Sequence, residues 1–95
     1  MAVLVWKHGQ SAAEALAAIQ AALKEAGYDG AVSWDGARAE ARYGPFASIL
    51  HAKGEVTEDA VVLEKCGGLA GGTVLKRCQE LLQRLFPGGE QAEPV

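Results

Sequence analysis

Residues 31–43 read AVSWDGARAEARY, and this stretch decides the fold. Asp35-Gly36 stands between two extended patterns, and such a pair favours a two-residue hairpin turn because both central residues need positive φ. Residues 37–43 then alternate strictly, with small or aromatic side chains on one side and Arg38, Glu40 and Arg42 on the other. This alternation is typical of an antiparallel strand with one buried face and one solvated face.

Further strands are predicted on both sides of the hairpin. Residues 46–56 continue the alternation, and the valine-rich stretch 60–65 reads as another strand after the polar turn Glu58-Asp59. The β-branched and aromatic residues at 3–6 predict a short opening strand.

Two amphipathic helices complete the pattern. The first follows Ser11, which fits a capping box with Glu14, and ends at Gly27. Its apolar stripe falls at positions 12, 16, 19, 23 and 26, in steps of four and three. The second is predicted to begin at Thr73 as the capping residue and to end before Pro87, with its stripe at positions 74, 78, 81, 82 and 85.

The order β-α-β-β-β-β-α predicts a single α+β domain over residues 1–86. We expect two layers, an antiparallel sheet of four to five strands with both helices on one face and the arginine-bearing face open. Residues 87–95 are predicted to be a flexible C-terminal tail. The order of the strands in the sheet does not follow from the sequence.

The composition predicts a thin core. Eighteen Ala and twelve Gly make up 30 of the 95 residues, against two Trp, two Tyr, two Phe and one Met. A domain of this size hides only about 60–65% of its surface on folding. We therefore expect modest stability, or further apolar burial in a homodimer.

Charge and hydropathy exclude several classes of protein. The net charge is −3, and residues 1–86 carry nine bases and ten acids, so there is no basic excess of the kind that nucleic-acid binders use. No apolar stretch approaches the ~18 residues that would span a bilayer, and no basic leader precedes the first apolar run. We expect a cytoplasmic protein with no nucleic-acid partner and no transmembrane segment.

No motif predicts a catalytic residue, a cofactor or a metal. Residues 67–72 have the glycine spacing of half a P-loop, but Thr73-Val74 stands where Lys and Ser or Thr are required, so we interpret this segment as a hinge. The histidines and cysteines lack the close pairs of a zinc site, and nothing places a base beside a thiol. These four residues are His8, His51, Cys66 and Cys78.

The open face of the predicted sheet offers a candidate binding surface. It combines Arg38 and Arg42 with His51 and Lys53 of the next strand. One interpretation is that these bases pair with acids across the strands and stabilise the sheet modestly. The other is a shallow surface for an acidic ligand or partner.

Three short stretches resemble the small polyhydroxyalkanoic acid system proteins. These are HGQSAAEA at 8–15, WDGAR at 34–38 and GEVTEDAVVLE at 54–64, and the resemblance covers most of residues 3–86. The chain departs from that family at Gln10, where an apolar residue is usual, and at 66–72 (CGGLAGG), where a Leu-Pro-rich link is typical. The resemblance implies a small cytoplasmic protein associated with storage-polymer granules and offers no catalytic residues.

Three hypotheses follow. The first is a non-enzymatic module that works by surface contact as a homodimer, with small residues at 13, 17 and 21 suited to close helix packing. The second is a small-ligand binder or minor enzyme with a pocket between sheet and helices, lined by Trp34, Tyr43 and His51. The third is a granule- or membrane-surface protein whose apolar patch combines exposed Trp6 with Phe46.

Overall fold

A computed structural model describes residues 2–92, and it confirms the α+β class with two helices and an antiparallel sheet. Within those residues the helices are α1 (Ala12–Glu25) and α2 (Gly71–Leu85). The strands are β1 (Leu4–Lys7), β2 (Val32–Asp35), β3 (Arg38–Tyr43), β4 (Leu50–Val56), β5 (Ala60–Gly67) and β6 (Glu90–Ala92). Short 3-10 turns occupy Asp29–Ala31 and Pro45–Ala47.

The sheet has six strands in the order β2-β3-β4-β5-β1-β6, against the four to five predicted. The additional strand, β6, lies in the segment expected to be a flexible tail, where Glu90 pairs with Lys7 and Ala92 with Val5. Residues 93–95 of that predicted tail lie outside the described residues. Because β6 covers one side of β1 and β5 the other, the opening strand is internal to the sheet.

The ends of the helices follow two different rules. At α1 the Ser11 hydroxyl accepts a hydrogen bond from the Glu14 amide at 3.2 Å, and Gly27 at φ +83° follows the last turn, as predicted. At α2 the prediction of Thr73 as the capping residue is wrong, since the helix already begins at Gly71 and no side chain caps it. A backbone hydrogen bond from Gly71 to the Gly68 carbonyl starts the helix instead.

The strand predicted from residue 46 begins only at Leu50. Gly44 at φ +87° turns the chain, and the Ser48 amide closes a tight turn onto the Pro45 carbonyl at 3.0 Å. Phe46 within that turn has φ +54°, a left-handed conformation that strands do not contain.

The core joins the centre of the sheet to both helices. Leu4 and Trp6 of β1 meet Ile19 of α1 and Leu82 of α2, and Phe86 closes the end of α2. Trp6 is only 8% exposed, so the expectation of an exposed Trp6 beside Phe46 is wrong. The reason is that alternate residues of β1 face the helices, and Trp6 lies on that side together with Leu4.

Candidate functional site

The open face of the sheet carries the four residues of the candidate binding surface. Arg38 and Arg42 lie on β3, with His51 and Lys53 on β4, and the register sets Arg42 opposite His51. The alternate residues on these strands, the alanines at 39, 41 and 52, face the helices. The structure therefore brings the four together on the face that the helices leave bare.

Glu40 is the hub of this surface. Its carboxylate lies 3.1 Å from Arg42 Nε, 3.1 Å from His51 Nε2 and 3.5 Å from Lys53 Nζ. The hydrogen bond from His51 and the neighbouring Arg42 lower the pKa of Glu40 from 4.5 to about 2, although partial desolvation acts in the opposite direction. Three of the four candidate residues are thus already engaged with one carboxylate of the chain itself.

Arg38 is engaged by two other acids. Its guanidinium lies 3.4 Å from Glu64 and 3.7 Å from Glu55. Glu64 reaches it because the register shifts at Lys53/Gly54, a bulge that leaves Glu64 without an opposite residue on β4. These are exposed pairs, which typically contribute about 0–1 kcal/mol each. The compensated charges support the interpretation of this face as a cross-strand network and give it no strong preference for anions.

Of the three residues proposed to line a cleft, Tyr43 and His51 share an open depression with Phe46, and Trp34 lies apart from them. Trp34 lies on the helix side of the sheet. His51 lies on the opposite face with Glu40, and its side chain is 22% exposed. Tyr43 stands at the end of β3 beside Phe46, where it is largely exposed. A shared pocket of Trp34, Tyr43 and His51 is therefore absent from the described residues.

A different site opens between the sheet and the helices. Helix α2 lies against β1, β4 and β5, and α1 lies against β4, so the helix-side surface of the β2–β3 hairpin is only partly covered. The result is a half-open cavity of about 140 Å³, which we call the apolar groove. Its walls include Val32, Trp34, Ala39 and Ala41 of the hairpin, with Leu23 of α1 and Leu81 of α2.

The groove follows from residue size. The hairpin presents alanine at 37, 39 and 41 where a thicker core would place leucine or valine, so the helices lack large partners there. The alanine alternation in the sequence already signalled a thin layer. Its position could not be predicted, because it depends on which strands the helices cover.

His8, a candidate ligand in the sequence, is a buried structural residue. Its Nδ1 accepts a hydrogen bond from the Gln10 amide at 3.0 Å, and its Nε2 donates to the Thr57 carbonyl at 2.9 Å. Its ring stacks at a tilt on Phe86, with centroids 5.9 Å apart. Both ring nitrogens are therefore occupied within the fold.

Cys66 and Cys78 are free thiols, and within residues 2–92 neither is hydrogen-bonded to a basic side chain. Cys66 donates to the Gly71 carbonyl at 3.1 Å, and burial raises its pKa. Burial and the neighbouring Cys66 raise the pKa of Cys78 to about 11. Since the thiolate is the nucleophile, both groups are poorly activated at neutral pH.

The described residues contain neither a cluster of metal ligands nor a helix that could span a membrane. Over residues 2–92 no three His, Cys, Asp or Glu side chains gather as a metal-binding group. Neither α1 nor α2 is long and apolar enough to cross a bilayer.

In comparisons with known proteins, no family model, curated protein or solved structure matches the chain. The resemblance to the polyhydroxyalkanoic acid system proteins stays a prediction.

Proposed function

We propose that this chain is a small non-enzymatic protein that acts through surface contacts, and that a second copy of the chain covers the apolar groove. The observation that carries the proposal is the partly covered helix-side surface of the β2–β3 hairpin. Trp34 is only half-buried there, beside alanines too small to close the gap. Covering such a surface removes apolar area from water and supplies the burial that the thin core lacks.

The edge of the sheet next to the groove supports the same proposal. Strand β2 is the first in the strand order and pairs only with β3 among the described residues. An edge strand offers free backbone amides and carbonyls to another chain. Pairing β2 with β2 of a second copy would set two half-covered apolar surfaces side by side in a twofold arrangement.

Light scattering tests this proposal. We expect the wild type to approach twice the 9.9 kDa chain mass at micromolar concentration and to dissociate on dilution. Ala41→Glu, which places a charge in the groove, should give a folded monomer. Gln91→Glu is the matched control, because it adds the same charge at an exposed position of β6, the opposite edge of the sheet, and should leave the mass unchanged.

Two results would overturn the dimer. One is a wild-type mass of 9.9 kDa at all concentrations together with a high melting temperature. The other is a dimer that Ala41→Glu leaves intact but Ala17→Glu dissociates, since position 17 belongs to the exposed small-residue face of α1. Val32→Thr, which adds polarity to the groove at constant volume, replaces Ala41→Glu if that variant fails to fold.

The volume of the groove favours a second function, the binding of a small apolar ligand. The cavity of about 140 Å³ lies below the ~300–1,000 Å³ of sites for drug-sized ligands, so the ligand would be a short aliphatic or single-ring group. Titration with such a ligand should change the fluorescence of Trp34 to the same extent at all protein concentrations. A response that appears only on dissociation of a dimer would contradict ligand binding.

The biological setting is the part of the proposal that the resemblance alone supports. We place the protein in the cytoplasm, in association with storage-polymer granules. Co-sedimentation with purified granules tests this, and an absence of the protein from the granule pellet would reject it.

A further inference from the structure

One end of the molecule is built from two loops that are hydrogen-bonded to each other. The Leu69 amide donates to the Ser48 carbonyl at 3.1 Å, and the Ala70 amide donates to the Ile49 carbonyl at 2.8 Å. Gly68 at φ +92° lets the two backbones approach closely. The loop after β3 and the loop before α2 therefore form one unit.

This unit presents large apolar side chains to solvent. Phe46 is fully exposed, Leu69 is 90% exposed and Tyr43 is 60% exposed. We call these three side chains the apolar tip. Single exposed apolar residues are ordinary, but Phe46 and Leu69 stand on joined loops and Tyr43 ends the strand that leads into them. One end of the molecule thus concentrates exposed apolar side chains, as interaction sites do.

The backbone at Phe46 is a second sign of function. Its φ of +54° is the left-handed region, and it is the one residue other than glycine with positive φ in the described chain. Bulky residues rarely adopt this conformation, and where they do the strain commonly accompanies a binding role. The side chain gains no packing from this turn, since it is fully exposed.

The segments on either side of the two joined loops carry bases and no acids. Residues 41–54 and 65–79 include five of the nine bases and none of the twelve acids, so the other residues carry four bases against twelve acids. The five bases are Arg42, Lys53, Lys65, Lys76 and Arg77. The acidic turn Glu58-Asp59 lies at the opposite end of β4 and β5.

Some of these bases remain available to a partner. Glu40 compensates Arg42 and Lys53, whereas Lys65 and Lys76 have no ion-pair partner among the described residues. The Lys65 side chain extends along β5 towards Gly67, at the base of the tip. At physiological salt the screening length is about 8 Å, so only charges close to the tip act strongly on a surface that touches it.

We propose that the apolar tip docks on an anionic phospholipid surface. Phe46 and Leu69 would enter the boundary between headgroups and acyl chains, while Lys65 and Lys76 would meet the phosphates. A protruding pair of apolar side chains suits a soft layer that deforms around it. This inference rests on the proposed function only in that the protein acts through its surface, and it does not depend on the groove.

Sedimentation with vesicles tests the docking. Vesicles of phosphatidylcholine with 30% phosphatidylglycerol should pellet the wild type. Binding to vesicles of pure phosphatidylcholine should be at least about 5-fold weaker. Phe46→Asn should weaken binding at least about 10-fold, because a buried phenyl ring contributes that factor or more. Asparagine tolerates positive φ, so this variant keeps the turn.

Matched controls separate the tip from the rest of the molecule. Lys65→Gln should weaken binding about 5-fold, the factor of one cation near an anionic surface. Lys7→Gln, an exposed base at the far end of β1, should change binding less than 2-fold. Val3→Asn, which removes an exposed apolar side chain outside the tip, should do the same.

Several results would overturn the docking proposal. These are no pelleting of the wild type, equal pelleting by neutral and anionic vesicles, or unchanged binding of Phe46→Asn. A lower mass of Phe46→Asn in light scattering, without vesicle binding, would instead make the tip a contact between copies. Ala41→Glu should still pellet with anionic vesicles, so failure of the groove dimer and failure of the docking are distinguishable.

Discussion

Replacing Phe86 with alanine should be among the most destabilising changes available in this protein. Phe86 is 1% exposed and is one of the two largest fully buried side chains. Its neighbour His8 is held by hydrogen bonds to Thr57 and Gln10, so it cannot move to fill the space that the ring leaves. Truncating a phenylalanine buried in this way typically lowers the free energy of unfolding by about 3–5 kcal/mol. Because His8 cannot fill the space, we expect a loss in the upper half of that range.

That loss is large against the total. A chain of 95 residues has a free energy of unfolding of about 5–14 kcal/mol. With a urea m-value of about 1 kcal/mol per molar, the unfolding midpoint should fall by about 4 M or more. In a thermal melt the same change should lower Tm by at least about 16 °C. Circular dichroism at 222 nm measures both.

The matched control is Phe46→Ala. The chemical change is the same, but Phe46 is fully exposed, so the free energy of unfolding should change by less than about 0.5 kcal/mol. Equal losses in the two variants would refute the placement of Phe86 in the core and of Phe46 in solvent. A small loss in Phe86→Ala alone would show that the end of α2 does not close the core.

Three further predictions concern the site residues and the loops. The lowered pKa of Glu40 stabilises the folded state above about pH 4.5, and this contribution disappears as the pH falls towards 2. In urea titrations, the difference in free energy of unfolding between wild type and Glu40→Gln should therefore close over that pH range. The Cys78 thiol, with its pKa raised to about 11, should react with a thiol reagent at pH 7 much more slowly in the folded than in the urea-unfolded protein, and equal rates would contradict its burial. Gly68→Ala should lower the free energy of unfolding by about 2 kcal/mol or more, because Gly68 has positive φ and a Cβ there would lie 2.6 Å from the Ile49 backbone. Gly72→Ala is the control, since its Cβ would point into open space on α2, and it should be neutral or stabilising by about 0.5 kcal/mol. Equal effects of the two variants in a urea titration would count against the loop geometry.

The candidate surface shows how far alternation can be used. Alternation placed Arg38, Arg42, His51 and Lys53 on one face, and the structure has them there. It could not show that Glu40 engages three of them at once, because that depends on the register between β3 and β4. Glu64 shows this limit more clearly. It reaches Arg38 because of a bulge between β4 and β5, and the alternation of residues in the sequence does not reveal that bulge.

By itself, the sequence determined the type of nearly every element and the class of the fold. Helix α1 follows from its stripe and the Ser11 cap, and the β2–β3 hairpin follows from Asp35-Gly36. These signals are local, because a cap, a turn or a period involves residues within a few positions of one another. They hold whatever the rest of the chain does.

Only the tertiary structure decided which surfaces are covered. The insertion of β1 between β5 and β6 buried Trp6, and the position of the helices left the groove beside Trp34 half-open. The joining of two distant loops placed the exposed Phe46 and Leu69 at one end of the molecule. Each of these outcomes depends on pairing between segments far apart in the chain, and the period of a single segment carries no record of its partner.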